Sequence, residues 1–179
     1  FKNIARAATQ SVENSALVTQ DALTGLASRF KFDEILSGLI DLYKAKTNVL
    51  ISRKRAAPCA VLAIGLDHFA HINKGLGPNA GDKVLQGATH RIKNCVSDLD
   101  LVSRTGGDEF AVALTHMFDA SEANHAAEAI QAMLHDVFLI DGTEIYSSAS
   151  VGIATYPERG DTAADLLTHA TLALQAAKE

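Results

Sequence analysis

"RTGGDEFAVAL", Arg104 to Leu114, places two glycines and two carboxylates between segments suited to β-strands, and its reading decides the fold. Gly106-Gly107 supply the positive φ angles that a two-residue hairpin turn requires, so "DLVSRTGGDEFAVAL" is expected to run strand, tight turn, strand. Asp108 and Glu109 then stand at the tip, where glycines without side chains let a ligand approach the backbone closely. Hard oxygen ligands in that place suit Mg²⁺, which binds one or two carboxylates together with substrate phosphates. Metal-assisted phosphoryl transfer is the chemical reading of such a tip. A charged hairpin end with no chemistry is the structural one, and a bare Gly-Gly-Asp-Glu does not choose between them.

Working outward, "PCAVLAIGL" (Pro58 to Leu66) is an apolar run suited to a strand buried on both faces. "DHFAHINKGLGPNAGD" follows, with Gly75, Gly77, Pro78 and Gly81 punctuating two helices, the second starting near Asn79 and burying Leu85, Ala88, Ile92 and Cys95. Upstream, Phe1, Ile4, Ala8, Val12 and Ala16 recur at helical spacing, predicting an amphipathic linker or signalling helix over 1–20. Thr24-Gly25 break it, and Ser28 caps a helix carrying Phe32, Ile35, Leu36, Leu39 and Leu42. Arg53-Lys54-Arg55 form a short basic loop before the buried strand. Downstream, Asp119 and Glu122 at capping-box spacing open a helix that buries Ala127, Ile130, Leu134 and Val137. "FLIDGTEIY" reads as a hairpin around Asp141-Gly142 feeding the strand "SASVGIATY". A last helix from about Asp161 buries Leu166, Ala170, Ala173 and Ala177. This order of elements is that of an α+β domain built on a mainly antiparallel sheet.

The bulk numbers set limits. With 179 residues, 47% hydrophobic and 21% charged, the chain fits one domain with a sizeable core. A net charge of −5 argues against a general nucleic-acid surface or a polybasic membrane surface, so a phosphate-bearing ligand must be met by a local device. Cys59 and Cys95 have neither CxxC nor zinc spacing and read as buried reduced thiols of a cytosolic protein. No apolar run approaches the ~18 residues of a membrane span, and no signal peptide is visible. The chain starts at Phe1 without a Met and stops inside a helical pattern, as expected of a piece of something longer, cytoplasmic itself within a protein whose membrane attachment is left open.

Several motifs in order tip the balance. "DALTGLASR", "LDHFAHIN…G…AGDKVL", "RTGGDEF", "SVGIATYP" and "ADLLTHATLALQAAK" together resemble the GGDEF family of diguanylate cyclases, bacterial signalling domains that condense two GTP into cyclic di-GMP. The resemblance covers nearly the whole chain from Asp21, so the expected division is a linker over 1–20 and a GGDEF domain over 21–179, truncated at its C-terminal end. It implies a central five-stranded, mainly antiparallel sheet flanked by helices, as in nucleotidyl cyclase and palm domains.

By that resemblance Gly106, Gly107, Asp108 and Glu109 form the catalytic signature, with Asp108 and Glu109 holding Mg²⁺. Asn73 and Asp82 recognise guanine, a carboxylate accepting from N1–H and N2–H₂ while an amide serves the acceptor edge. Lys178 is a phosphate contact. The metal site departs from the family pattern D-x-D-x-F-K: Gly65 stands for the first Asp, a metal ligand, and Ala70 for the Lys. Asp67 keeps the second acid, but residues two apart on a strand are ~6.6 Å apart while Mg–O bonds are ~2.1 Å, so it does not replace the first without a backbone shift or bridging water. Thr171 and Gln175 replace an Asp and a Tyr of the last helix. In "SDLD", Ser97 replaces the Arg of the family's product-inhibition motif while Asp100 remains. His68 and His71 lie three apart, but nothing supplies further ligands at recognisable spacing for a transition metal.

The expected function is a GTP-binding regulatory domain with weak or no cyclase activity. The alternatives are an active cyclase working as a homodimer and a structural or dimerisation module. The implied partners are GTP or cyclic di-GMP, a neighbouring sensor domain and a cyclic di-GMP phosphodiesterase domain, with no nucleic acid.

Overall fold

The computed structural model describes residues 19–49 and 59–179. The helix expected over 1–20 lies, apart from its last two residues, outside the described residues, as does the basic loop Arg53-Lys54-Arg55. In chain order the elements are β1 (Ala27–Ser28), α1 (Arg29–Val49), β2 (Cys59–Leu66), α2 (Phe69–Leu76), α3 (Pro78–Asn94), β3 (Leu101–Gly106), β4 (Glu109–Leu114), α4 (Ser121–His135), β5 (Phe138–Ile140), β6 (Thr143–Ile145), β7 (Ala149–Tyr156) and α5 (Ala163–Ala177). The central sheet has five strands in the order β1-β3-β4-β2-β7. It is antiparallel except for the β1–β3 pair. β5 and β6 form a separate hairpin, whose turn uses positive φ at both Asp141 and Gly142.

β2 is buried at every residue because helices cover both faces of the sheet. Leu62, Ile64 and Leu66 point to one side with Val84, Leu85, Ala88 and Ile92 of α3 and Ile130 and Leu134 of α4. Val61 and Ala63 point to the other, under Phe32, Leu36 and Ile40 of α1 and Leu166, Ala170 and Leu174 of α5. This two-sided cover explains why the strand reads as a continuous apolar run rather than an alternating one.

Local chemistry sets the helix ends. The Lys31 N–H donates to Ser28 Oγ at 3.2 Å, and the Asp165 N–H donates to Thr162 Oγ1 at 3.1 Å, so α5 begins two residues after Asp161. At α4 the capping box is half made: Glu122 Oε1 accepts from the Asp119 N–H at 3.0 Å, while Asp119 itself accepts from Ser121. On α1 the buried stripe runs Phe32, Leu36, Ile40 and ends in Tyr43, whose ring packs on Tyr156 at 6.2 Å. Leu42 falls off that stripe and is exposed, as is Val137 beyond the end of α4. Cys59 is buried, and burial pushes its thiol up to about 12; Cys95 is half-buried, its thiol raised by the same cause. Among the described residues no helix is long and apolar enough to cross a membrane.

Candidate functional site

The β3–β4 hairpin is present, with its turn one residue later than expected. Gly106 is the last residue of β3 and pairs with Glu109, after a register shift between Arg104 and Gly106. The two loop residues are therefore Gly107 and Asp108. Gly106 and Gly107 both hold positive φ, at 150° and 53°, so both need the freedom of glycine even though only one is at the tip. The loop is tied to the sheet centre, because the Leu66 N–H donates to the Asp108 carbonyl at 3.1 Å.

Arg104 braces the hairpin from behind. Its Nη2 donates to the Gly107 carbonyl at 2.7 Å, and its Nη1 reaches both oxygens of Asp21 at 3.2 and 3.1 Å. Asp21 also accepts from the backbone and hydroxyl of Thr24 at 2.9 and 2.6 Å. Burial works against the Asp21 charge, but the Thr24 hydrogen bonds and the Arg104 guanidinium outweigh it and hold the carboxyl below its ordinary value. This clamp gives the opening "DALTG" a physical job that its sequence alone does not assign. The signal for it is a charge of each sign in two otherwise glycine- and apolar-rich turns.

Gly65 is directly opposite Glu109 on one side and Ser150 on the other, so a side chain there would project beside the Glu109 carboxylate. That space is filled. A Cβ on Gly65 would stand 2.5 Å from Lys178 Nζ and 2.7 Å from its Cε. The lysine follows the end of α5, its N–H bonded to the Leu174 and Gln175 carbonyls, and its ammonium lies where a first carboxylate would project. Asp67 does not compensate: its two oxygens accept from Ser148 Oγ at 2.7 Å and Ser150 Oγ at 2.9 Å. The serines of "SSAS" carry no functional signal in the sequence, yet their spacing at the start of β7 is what turns Asp67 toward that strand.

The residues present do not supply the full carboxylate set that the family pattern gives a pair of divalent cations, because Gly65 replaces its first aspartate. Asp108 and Glu109 are at the hairpin, and among the described residues no three His, Cys, Asp or Glu side chains are grouped so as to hold a metal ion. A cation brought over Gly65 would face the ammonium at ~4 Å or less, where each unit of charge meets ~1 kcal/mol of repulsion in water and ~4 kcal/mol in partly screened surroundings. His68 and His71 are neighbours with ring centroids 5.8 Å apart, without a third ligand.

A cavity of about 400 Å³ opens between these groups, lined among others by Asp67, His68, Ala70, Asp108, Ser150 and Lys178. Asn73 and Asp82 are brought to the elbow between α2 and α3. The Asn73 side chain lies against Gly81, so close that a Cβ on Gly81 would collide with its Oδ1, stand 3.0 Å from its Cγ and 3.1 Å from Phe69 Cζ. Asp82, the next residue, is exposed at the start of α3. On the far side of the domain, Asp100 spends its carboxylate on the backbone N–H groups of Ser97 and Thr115, both at 2.9 Å. A second cavity of about 300 Å³ there includes Lys93, Ser97 and Asp100 in its wall.

An α+β domain with a glycine-carboxylate hairpin at the centre of its sheet is what the comparisons return. A family model described as "Diguanylate cyclase, GGDEF domain" matches residues 18–179, and the chain belongs to that GGDEF-domain family. It is 39% identical over 170 residues to the diguanylate cyclase TpbB of Pseudomonas aeruginosa, a match covering 93% of this chain and 37% of TpbB. It is 34% identical over 158 residues to the cyclic di-GMP phosphodiesterase NbdA of the same species, covering 88% of this chain and 19% of NbdA. The chain therefore spans well under half the length of either curated relative. The solved GGDEF domain of TpbB superposes with a TM-score of 0.79 at 38% identity, covering 89% of this chain and 88% of that one. A sensory box/GGDEF family protein from Caulobacter crescentus does so at 0.79 and 32%, covering 89% and 97%.

Proposed function

We propose that this chain is a guanine-nucleotide-binding regulatory domain of a cyclic di-GMP signalling protein, with weak or no cyclase activity of its own. The observation that carries the reading is Gly65 with the Lys178 ammonium above it; the Asn73 side chain against Gly81, next to Asp82, supports the base-binding part of it. Asp82 accepts from the guanine N1–H and N2–H₂ groups, Asn73 meets the acceptor edge, and Lys178 offers charge to the phosphates. What is missing is the metal-ligating carboxylate at residue 65, and losses at such electrostatic sites commonly reach ~10²–10³ in rate. Binding then survives while turnover does not.

In the full-length protein such a domain would stand between a sensor domain and an output domain and report GTP or cyclic di-GMP to them. A phosphodiesterase output fits the name of the relative NbdA. These ligands suit a domain in the cytoplasm, whatever anchors the whole protein. The second reading, an active cyclase working as a homodimer with Mg²⁺ on Asp108 and Glu109, is favoured by the intact hairpin and by Asp108 facing the cavity. The third, a structural or dimerisation module, depends on the helix that the sequence leads one to expect over 1–20.

The reading is tested by titrating GTP and ATP into the chain. GTP is expected to bind saturably and at least ~10-fold more tightly than ATP, because an adenine leaves Asp82 and Asn73 with mismatched partners. Equal affinity, or none for either, would contradict it.

A further inference from the structure

We infer that this domain takes its nucleotide as the metal-free polyphosphate, with the Lys178 ammonium supplying over Gly65 the positive charge that phosphate recognition otherwise draws from a divalent cation. The inference rests on the guanine-nucleotide reading above. Its first support is placement. The ammonium reaches the strand centre only because residue 65 has no side chain, as any Cβ would come within 2.5 Å of Nζ. Its second is the state of the neighbouring acids. Each Asp67 oxygen accepts one hydroxyl, from Ser148 and Ser150, and among the described residues no ion pair involves Lys178. The charge is therefore uncommitted and lines a cavity of about 400 Å³, a volume within the usual range of ligand pockets. Its third is exclusion, since a divalent cation arriving with the nucleotide would have to lie against a like charge.

Two carboxylates line the cavity and oppose the arrangement: Asp67, tied to Ser148 and Ser150, and Asp108 at the hairpin. Each repels phosphate when no metal lies between them. Of the two, Asp108 is the discriminating residue, because a metal-dependent site makes it a ligand. In a metal-dependent site it is a ligand and its loss weakens binding; in a metal-free site it is a repulsive neighbour and its loss tightens binding.

The experiment is calorimetric titration of GTP into the 179-residue chain, once with excess EDTA and once with excess Mg²⁺. Affinity in EDTA is expected to equal or exceed that in Mg²⁺. In EDTA, Lys178→Met should weaken binding by about 10-fold or more, the loss expected for one charge-assisted contact. Asp108→Asn should tighten it severalfold. Binding only in Mg²⁺, or weakening by Asp108→Asn in EDTA, would overturn the metal-free inference and leave the nucleotide reading standing. Absence of binding in both buffers would overturn both. The wild-type comparison needs no substitution, so the outcome does not depend on how a variant folds.

Discussion

Gly152→Ala is expected to destabilise the domain by about 3 kcal/mol, the upper end of ordinary overpacking, and to lower the thermal midpoint by roughly 6–12 °C for a domain of this size. Gly152 is buried in β7, opposite Ala63 of β2. A Cβ there would collide with the Ala170 carbonyl oxygen and the Leu174 nitrogen, and stand 2.8 Å from the Ala173 carbonyl carbon. All three are backbone atoms of α5, so no side chain can swing aside and the helix itself must lift. That helix ends at Ala177 and is followed by Lys178 over Gly65, so the same substitution should also loosen the proposed phosphate contact. Gly38→Ala is the control. Gly38 lies exposed on α1, a methyl there would meet nothing within 4 Å, and the substitution should stabilise by ~0.5–1 kcal/mol through helix propensity and unfolded-state entropy. Thermal unfolding of both variants followed by circular dichroism checks the pair, and equal midpoints would show that β7 and α5 are less tightly docked than described.

Gly81→Ala separates binding from stability. Its methyl would take the place of the Asn73 amide, with Phe69 Cζ at 3.1 Å closing the other side. Both obstacles are the ends of side chains, and alanine in α3 gains up to ~1 kcal/mol of helix propensity over glycine, so the fold should lose little. Asn73 must leave its place against residue 81, however, and in the proposed base site the guanine then loses one of its two polar partners. GTP affinity is expected to fall by ~10-fold or more, the worth of a hydrogen bond left unmade in a formed site. An unchanged affinity at unchanged stability would remove Asn73 from the base site.

Much of this is legible in the chain because local rules and the tertiary answer agree. Cys59 to Leu66 had to be buried on both faces, and they are. Ser28 and the Asp141-Gly142 turn do what their chemistry favours. The hairpin is legible as a hairpin but not in register: Gly-Gly reads as the pair of turn residues, whereas the pairing of Gly106 with Glu109 moves the turn to Gly107-Asp108. Leu42 fits the helical period of α1, yet the neighbouring strands select the stripe through Ile40 and Tyr43. Long-range contacts are beyond reach. Arg104 and Asp21 are 83 residues apart, and nothing local joins them. The same holds for Asp67 and the two serines. At the candidate site the sequence shows a gap at Gly65 but not what fills it. An ammonium reaching back from the end of α5, 113 residues downstream by number (178 − 65), is a fact of packing between a strand and the last helix.

The most direct test of the central claim is to incubate the chain with GTP and Mg²⁺ and quantify cyclic di-GMP by chromatography, beside a cyclase with an aspartate at the position of Gly65. Saturable GTP binding is expected, with product at least ~10²-fold below that of the comparison enzyme. Product at a comparable rate would mean that the Lys178 ammonium leaves Gly65 during turnover, and would contradict the assignment of this domain as a regulatory nucleotide binder.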